Sequence, residues 1–218
     1  ASLVGSEMCI RDRAHSDEAE KYSAAAFATK HEDAIYFSKR VTRAVPDGGP
    51  IEAHTDLVKK LDYECELAVV LGRDARDVPA GQTRDYIFGY TILNDVSARD
   101  VQTAHKQWYF GKSLGGFTPI GPCIVTADAF ADYPPRLGIR SFVNGEKRQD
   151  SNTALQIFDI DHVIAELSQG MTLKAGTIIA TGTPAGVGMG MDPPQFLKPG
   201  DVVRCEIEGI GTLTNPVK

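Results

Sequence analysis

The stretch that most constrains this chain is Tyr63-Glu64-Cys65-Glu66-Leu67-Ala68-Val69-Val70-Leu71, closed by Gly72. Side chains alternate along a strand. Tyr63, Cys65, Leu67, Val69 and Leu71 therefore share one face, and Glu64, Glu66, Ala68 and Val70 the other. Beyond Glu66 both faces are apolar, as in a strand covered on both sides. Glu64 and Glu66 then lie about 7 Å apart on one side, at the mouth of a buried strand. Two carboxylates in that position repel each other unless a cation or protons intervene. A hard divalent ion is the economical answer, and oxygen donors favour Mg²⁺, Ca²⁺ or Mn²⁺ over zinc. The competing reading is a solvated strand face, the commoner fate of paired glutamates.

Such a strand needs a core around it. At 218 residues, 42% hydrophobic and 24% charged, the chain can bury one as a single domain. With 21 glycines and 12 prolines it has more turns than a helical bundle needs, which predicts a mixed, β-dominated fold with a few short helices. A net charge of −6 argues against nucleic acid as a partner. The aliphatic run Leu67–Leu71 is far below the roughly 20 residues that span a bilayer, so no membrane association is expected. Cys9, Cys65, Cys123 and Cys205 are scattered, without a C-x-x-C pair. That excludes a thiolate zinc site and a disulfide framework. With no apolar leader-like run near the start, we expect a cytoplasmic protein.

Turn signals divide the chain. Residues 1–13 show neither helical nor strand periodicity and look like a non-native, adapter-like segment outside the fold. Residues 14–33 form a polar helical segment, and residues 34–218 the main domain. Within it, strands are expected at Ile35–Phe37, Tyr63–Leu71, Gly89–Leu93, Pro122–Val125, Gly138–Val143, Thr177–Thr181 and Asp201–Glu208. Asn144-Gly145 signals a two-residue hairpin. Asp161–Gln169 predicts a helix capped by Asp161, with Val163, Ile164 and Leu167 on one face.

A third oxygen ligand is offered by Asp95, which ends an apolar run before a short helix, Ser97–Ala104; the alternative is that Asp95 caps that helix. Arg99 and Gln102, three apart, share a helical face and suit a carboxylate or amide oxygen. Lys112 follows the aromatic run Trp108-Tyr109-Phe110 among glycines, so its ammonium can point into a pocket; most lysines are simply solvated. Thr181-Gly182-Thr183-Pro184-Ala185-Gly186-Val187-Gly188 is a Gly-rich turn whose hydroxyls and N–H groups suit an anion. No Gly-Lys-Ser/Thr follows it, so it is not a P-loop.

In this order, Asp62-Tyr63-Glu64-Cys65-Glu66-Leu67-Ala68-Val69-Val70-Leu71-Gly72, Asn94-Asp95-Val96-Ser97-Ala98-Arg99-Asp100-Val101-Gln102, Gly111-Lys112-Ser113, Val143-Asn144-Gly145-Glu146 and Thr181–Gly188 resemble the fumarylacetoacetate hydrolase superfamily. The resemblance implies a β-sandwich-like roll over residues 34–218, a homodimer, and Mg²⁺ or Mn²⁺ (Ca²⁺ as a third candidate) held by Glu64, Glu66 and Asp95. It implies that Lys112 faces a small 2-oxo acid substrate, with Arg99, Gln102 and Thr183 lining the pocket. His15-Ser16-Asp17-Glu18 matches the His-x-x-Glu spacing of the family's acylpyruvate-cleaving members. There Glu18 would polarise His15 as a general base on a lid; the alternative is a solvated terminal helix. The expected activity is hydrolysis of a C–C bond in acylpyruvate- or fumarylpyruvate-type 2,4-dioxo acids, as in aromatic-compound catabolism, through a pyruvate enolate at the metal. The alternatives are isomerisation of hydroxymuconate-type substrates or decarboxylation of oxaloacetate-type substrates, and a non-catalytic binding protein with a defective lid.

Overall fold

The computed structural model describes residues 3–7 and 33–218. The elements run β1 (Leu3–Glu7), β2 (Ile35–Lys39), β3 (Leu61–Asp62), β4 (Cys65–Leu71), β5 (Ile87–Asn94) and β6 (Ser97–Ala98). Next come α1 (Arg99–Ala104), α2 (Tyr109–Lys112), β7 (Ile120–Thr126), β8 (Gly138–Val143) and β9 (Glu146–Asn152). The chain ends with α3 (Ile160–Leu167), β10 (Ile178–Ala180), β11 (Val202–Ile207) and β12 (Gly211–Pro216). The fold is mixed and β-dominated, with short helices. Among the described residues no helix is long and apolar enough to cross a membrane.

A six-stranded sheet, ordered β2-β1-β10-β4-β5-β7, faces a four-stranded one, β12-β11-β8-β9. Among the described residues, every strand pairing within these two sheets is antiparallel except β1 with β10. β4 is interior to the larger sheet, and every one of its residues is buried. Cys65, Leu67, Val69 and Leu71 join the main core with Ile139, Val143, Val203, Cys205 and Ile207 from β8 and β11. On the reverse face Ala68 packs with Leu93 and Ala180 in a second, smaller cluster. The strand is thus covered on both sides, as its sequence requires.

The hairpin between β8 and β9 turns through Asn144 (φ 53°) and Gly145 (φ 84°), the pair of left-handed residues that a type I′ turn demands. Helix α3 begins earlier than its sequence suggests. Its cap is Asp159, whose carboxylate accepts the His162 N–H at 2.9 Å. Asp161 lies inside the first turn and instead accepts bonds from Gly81 N–H and the Thr83 hydroxyl, tying the helix to the 81–86 turn. Asp95 caps no helix, because α1 starts at Arg99 after the short strand β6.

The start holds a strand that its residue pattern does not announce. Leu3–Glu7 lacks apolar alternation, yet it forms a strand bonded to β2 on one side and β10 on the other. Backbone pairing on two sides specifies a strand without help from side-chain pattern. The helical segment expected over residues 14–33 lies, apart from its last residue, outside the described residues.

Ile139, the second residue of β8, is fully buried. Ile139→Ala is expected to lower unfolding free energy by about 3–4 kcal/mol in urea titrations, from lost transfer energy plus a cavity. Asp159→Ala is expected to cost about 1 kcal/mol, the worth of one N-cap.

Candidate metal centre

Because β4 and β5 are antiparallel neighbours, the start of one lies beside the end of the other, with Cys65 opposite Asn94. Glu64 and Glu66 flank the first residue of β4, and Asp95 follows the last residue of β5. The Asn94 amide accepts the Glu64 N–H at 3.0 Å, and Asp95 N–H donates to the Glu64 carbonyl at 2.8 Å. Oxygens of Glu64, Glu66 and Asp95 all lie within 4.8 Å of one another, and each residue is 1% exposed.

Three cationic side chains enter from three further elements. Lys112, at the end of α2, donates to Glu64 Oε2 and Asp95 Oδ2, each at 2.7 Å, and its Nζ lies 5.2 Å from the centre of the Phe37 ring. It gets there because α2 packs tightly on α1: a Cβ at Gly111 would stand 2.7 Å from Gln102 N. Arg99 opens α1 and spans Glu64 Oε1 at 2.6 Å and Asp62 Oδ2 at 2.9 Å, with Gln102 Oε1 3.3 Å from the same guanidinium. Lys39, the last residue of β2, donates to Asp95 Oδ1 at 2.6 Å and to the Val96 carbonyl at 3.3 Å.

The Gly-rich turn after β10 does bind anions, and those anions are the protein's own carboxylates. Gly182 N–H donates to Glu66 Oε2 at 2.7 Å. Gly188 and Met189 N–H donate to the two oxygens of Asp62 at 2.7 and 3.0 Å. Thr183 is buried here as well, its hydroxyl donating to the Cys65 carbonyl at 3.0 Å. The structure therefore brings together Glu64, Glu66, Asp95, Arg99, Gln102, Lys112 and Thr183. His15 and Glu18 lie outside the described residues.

These surroundings make the carboxylates unequal. Burial and the nearby Asp95 and Glu64 charges push Glu66 well above the ordinary range, against the opposing pull of Lys112 and Gly182 N–H. Burial alone would raise Asp95 too, but the Lys112 and Lys39 ammonium groups outweigh it and hold Asp95 below its usual value. Burial, with the like charge of Lys112, lowers Lys39 despite Asp95. Asp62, Glu64, Glu66 and Asp95 thus face Lys39, Arg99 and Lys112, one negative charge in excess when all are ionised. A converging all-oxygen donor set with surplus negative charge fits a hard divalent cation.

Three participants escaped the sequence. Asp62 had a signal, since alternation places it on the side of Glu64. Lys39, at the end of β2, and Gln149, in the middle of polar β9 and bonded to Cys65 and Thr183, stand where the sequence says nothing about what faces them.

The fumarylacetoacetate (FAA) hydrolase C-terminal family matches residues 6–218. The chain belongs to the fumarylacetoacetate hydrolase family. Oxaloacetate tautomerase YisK of Bacillus subtilis strain 168 is 44% identical over 186 residues, covering 85% of this chain and 62% of the tautomerase. The fumarylacetoacetate hydrolase of Exiguobacterium antarcticum superposes with a TM-score of 0.87 at 45% identity, over 100% of this chain and 74% of that one. The 2-hydroxyhepta-2,4-diene-1,7-dioate isomerase of Mycobacterium marinum does so with a TM-score of 0.80 at 38% identity, over 99% and 73%. This fumarylacetoacetate hydrolase family chain spans 59–64% of the length of the curated relatives it matches. Its buried Glu64–Glu66–Asp95 group is consistent with the divalent-metal site typical of the family.

Asp62 is fully buried and carries four donors, including Arg99 Nε and three backbone N–H groups. Asp62→Asn removes the charge opposite Arg99 and forces an amide N–H against a donor. It is expected to destabilise the protein by about 3 kcal/mol, measured by chemical denaturation, as for other buried pairs that lose one partner.

Proposed function

We propose that this chain acts on a small 2-oxo acid with the help of a divalent cation, Mg²⁺ or Mn²⁺, held by Glu64, Glu66 and Asp95, and that it does so by stabilising the enolate of that acid. The observation that carries this reading is the convergence of three buried carboxylates with Lys112 and Arg99 at the same point. When bound there, the cation supplies Lewis-acid stabilisation of negative charge on the 2-oxo oxygen.

The chain's own residues do the rest. Lys112, fixed between Glu64 and Asp95, sets its positive charge beside the oxygen on which negative charge develops, and needs no reorganisation to do so. Arg99, braced by Asp62, Glu64 and Gln102, adds a fixed positive charge that attracts the substrate carboxylate. Lys39 holds Asp95 in place and adds a second positive charge beside it. The Phe37 ring beside Lys112 keeps water from the ammonium.

Within this chemistry, tautomerisation of an oxaloacetate-type acid is our first reading. It needs the enolate-stabilising residues described above and a proton acceptor for C3, for which solvent water suffices, with no attack on a carbonyl; a tautomerase is among the relatives. The second reading, hydrolysis of an acylpyruvate- or fumarylpyruvate-type 2,4-dioxo acid, is favoured by the spacing of His15 and Glu18. In that reading the His15 imidazole, polarised by Glu18, takes the proton of the attacking water. Isomerisation of hydroxymuconate-type acids and decarboxylation of oxaloacetate draw on the same donors. A homodimer in the cytoplasm is part of the same proposal.

Glu64→Gln is expected to abolish turnover of every 2-oxo acid in a panel of oxaloacetate, acetylpyruvate and fumarylpyruvate, as is chelation with EDTA; retained turnover in a folded variant would refute the reading. Lys112→Met is expected to lower kcat by about 10²–10³, as loss of one pre-positioned donor does elsewhere. His15→Ala separates the two readings: acetylpyruvate hydrolysis should fall while oxaloacetate tautomerisation, followed by enol absorbance, persists. Equal losses would argue against His15 as the water-activating base.

A further inference from the structure

In a strand, a residue's N–H and C=O point towards the same neighbour, and successive residues alternate between neighbours. Glu64 directs its pair towards β5, where the Asn94 amide and Asp95 N–H receive them. Cys65 directs its pair to the other side, where β10 would lie. But β10 stops short. Its last register pair with β4 is Ala180 with Ala68, the Thr181 N–H reaches the Leu67 carbonyl, and the chain then leaves the sheet at Gly182. The peptide groups of Cys65, fully buried between Glu64 and Glu66, are left without a strand to pair with.

Two side chains take the place of the missing strand. Gln149, at the middle of β9 in the opposite sheet, is fully buried, and its Oε1 accepts the Cys65 N–H at 3.1 Å. Its Nε2 donates to Thr183 Oγ1 at 2.8 Å and to the Pro184 carbonyl at 2.7 Å. Thr183, having accepted that bond, spends its own proton on the Cys65 carbonyl at 3.0 Å. The direction of every bond is settled: a flipped amide would set its NH₂ against the Cys65 N–H and its oxygen against the Pro184 carbonyl. The result is a closed ring through Cys65, Gln149 and Thr183 that grips the one residue separating the two glutamates.

We propose that Gln149 is a positioning residue for the Glu64–Glu66 pair, setting the spacing of the two carboxylates and the seat of Thr183 from the far sheet. It touches no substrate and acts only through Cys65 and Thr183. The inference deepens the proposed function and rests on its reading of Glu64 and Glu66 as cation ligands. Partners that hold metal ligands in place are worth about 10–100-fold in metal affinity, and Gln149 plays that part for two ligands at once.

The test compares the whole chain carrying Gln149→Met, which keeps the volume and removes all three bonds, with Thr183→Val, which opens the ring at its other end. Thr183→Ser keeps the hydroxyl. Thr153→Val is the control for loss of a buried hydroxyl, since among the described residues the Thr153 hydroxyl bonds Leu137 N–H and the Pro135 carbonyl and meets none of the carboxylates. Two readouts are taken: the Mn²⁺ dissociation constant by electron paramagnetic resonance, and amide hydrogen exchange of the metal-free protein. Gln149→Met and Thr183→Val are expected to weaken Mn²⁺ binding about 10–100-fold and to speed exchange locally, at Cys65 and across residues 181–188. Thr183→Ser should restore wild-type affinity, and Thr153→Val should leave it unchanged. Wild-type affinity in Gln149→Met, or exchange that rises alike across the protein, would overturn the proposal. If Gln149→Met does not fold, Thr183→Val against Thr183→Ser decides by the same criteria. If the wild-type protein takes up no Mn²⁺, the reading of the glutamates as ligands falls, while local exchange still decides whether Gln149 secures the segment.

Discussion

Three carboxylates withheld from water within 4.8 Å of one another are the constraint to which the rest of this structure answers. Burying even one ion costs several kcal/mol unless charge and hydrogen bonds compensate. Compensation here comes from every side. β2 delivers Lys39, α1 delivers Arg99, α2 delivers Lys112, and the turn after β10 delivers a backbone N–H. Two antiparallel strands, two short helices and a Gly-rich turn end at one point because that point cannot be left electrostatically bare.

The compensation is uneven, and the unevenness connects stability with function. Asp95 lies between two ammonium groups and is held as an anion. Glu66 is buried beside two other carboxylates and resists ionisation. An arrangement optimised for stability alone would balance the charges or replace them with apolar side chains, which often costs nothing. Ionising Glu66 as well would leave one negative charge in excess, which the metal-free fold resists and a divalent cation would offset. That is the physical content of its membership of a family of enzymes.

Much of this was legible along the chain. β4 announced itself by apolar residues on both faces, the Asn144-Gly145 turn by its left-handed residues, and the Glu64–Glu66 pair by its place at the mouth of a buried strand. Other elements carry no such mark. β1 is specified by backbone pairing with β2 and β10, not by side-chain alternation. β9 is wholly polar and mostly exposed or half-buried, and its single fully buried residue, Gln149, looks in sequence like its neighbours. α3 is capped two residues before Asp161: Asp159 and Asp161 offer the same side chain, and only the course of the backbone chooses between them.

By itself the sequence determined which residue types would meet the strongest local rules: a doubly covered strand, a tight hairpin, acidic side chains that need a cation. These follow from period, turn chemistry and the cost of burying charge, which act over a few neighbouring residues. The tertiary structure decided the rest. Lys39 reaches Asp95 across 56 positions and Gln149 reaches Cys65 across 84. Such partners are chosen by where sheets and helices come to lie, because a buried polar group must be satisfied by whatever the fold brings within about 3 Å of it, and distance along the chain does not encode that.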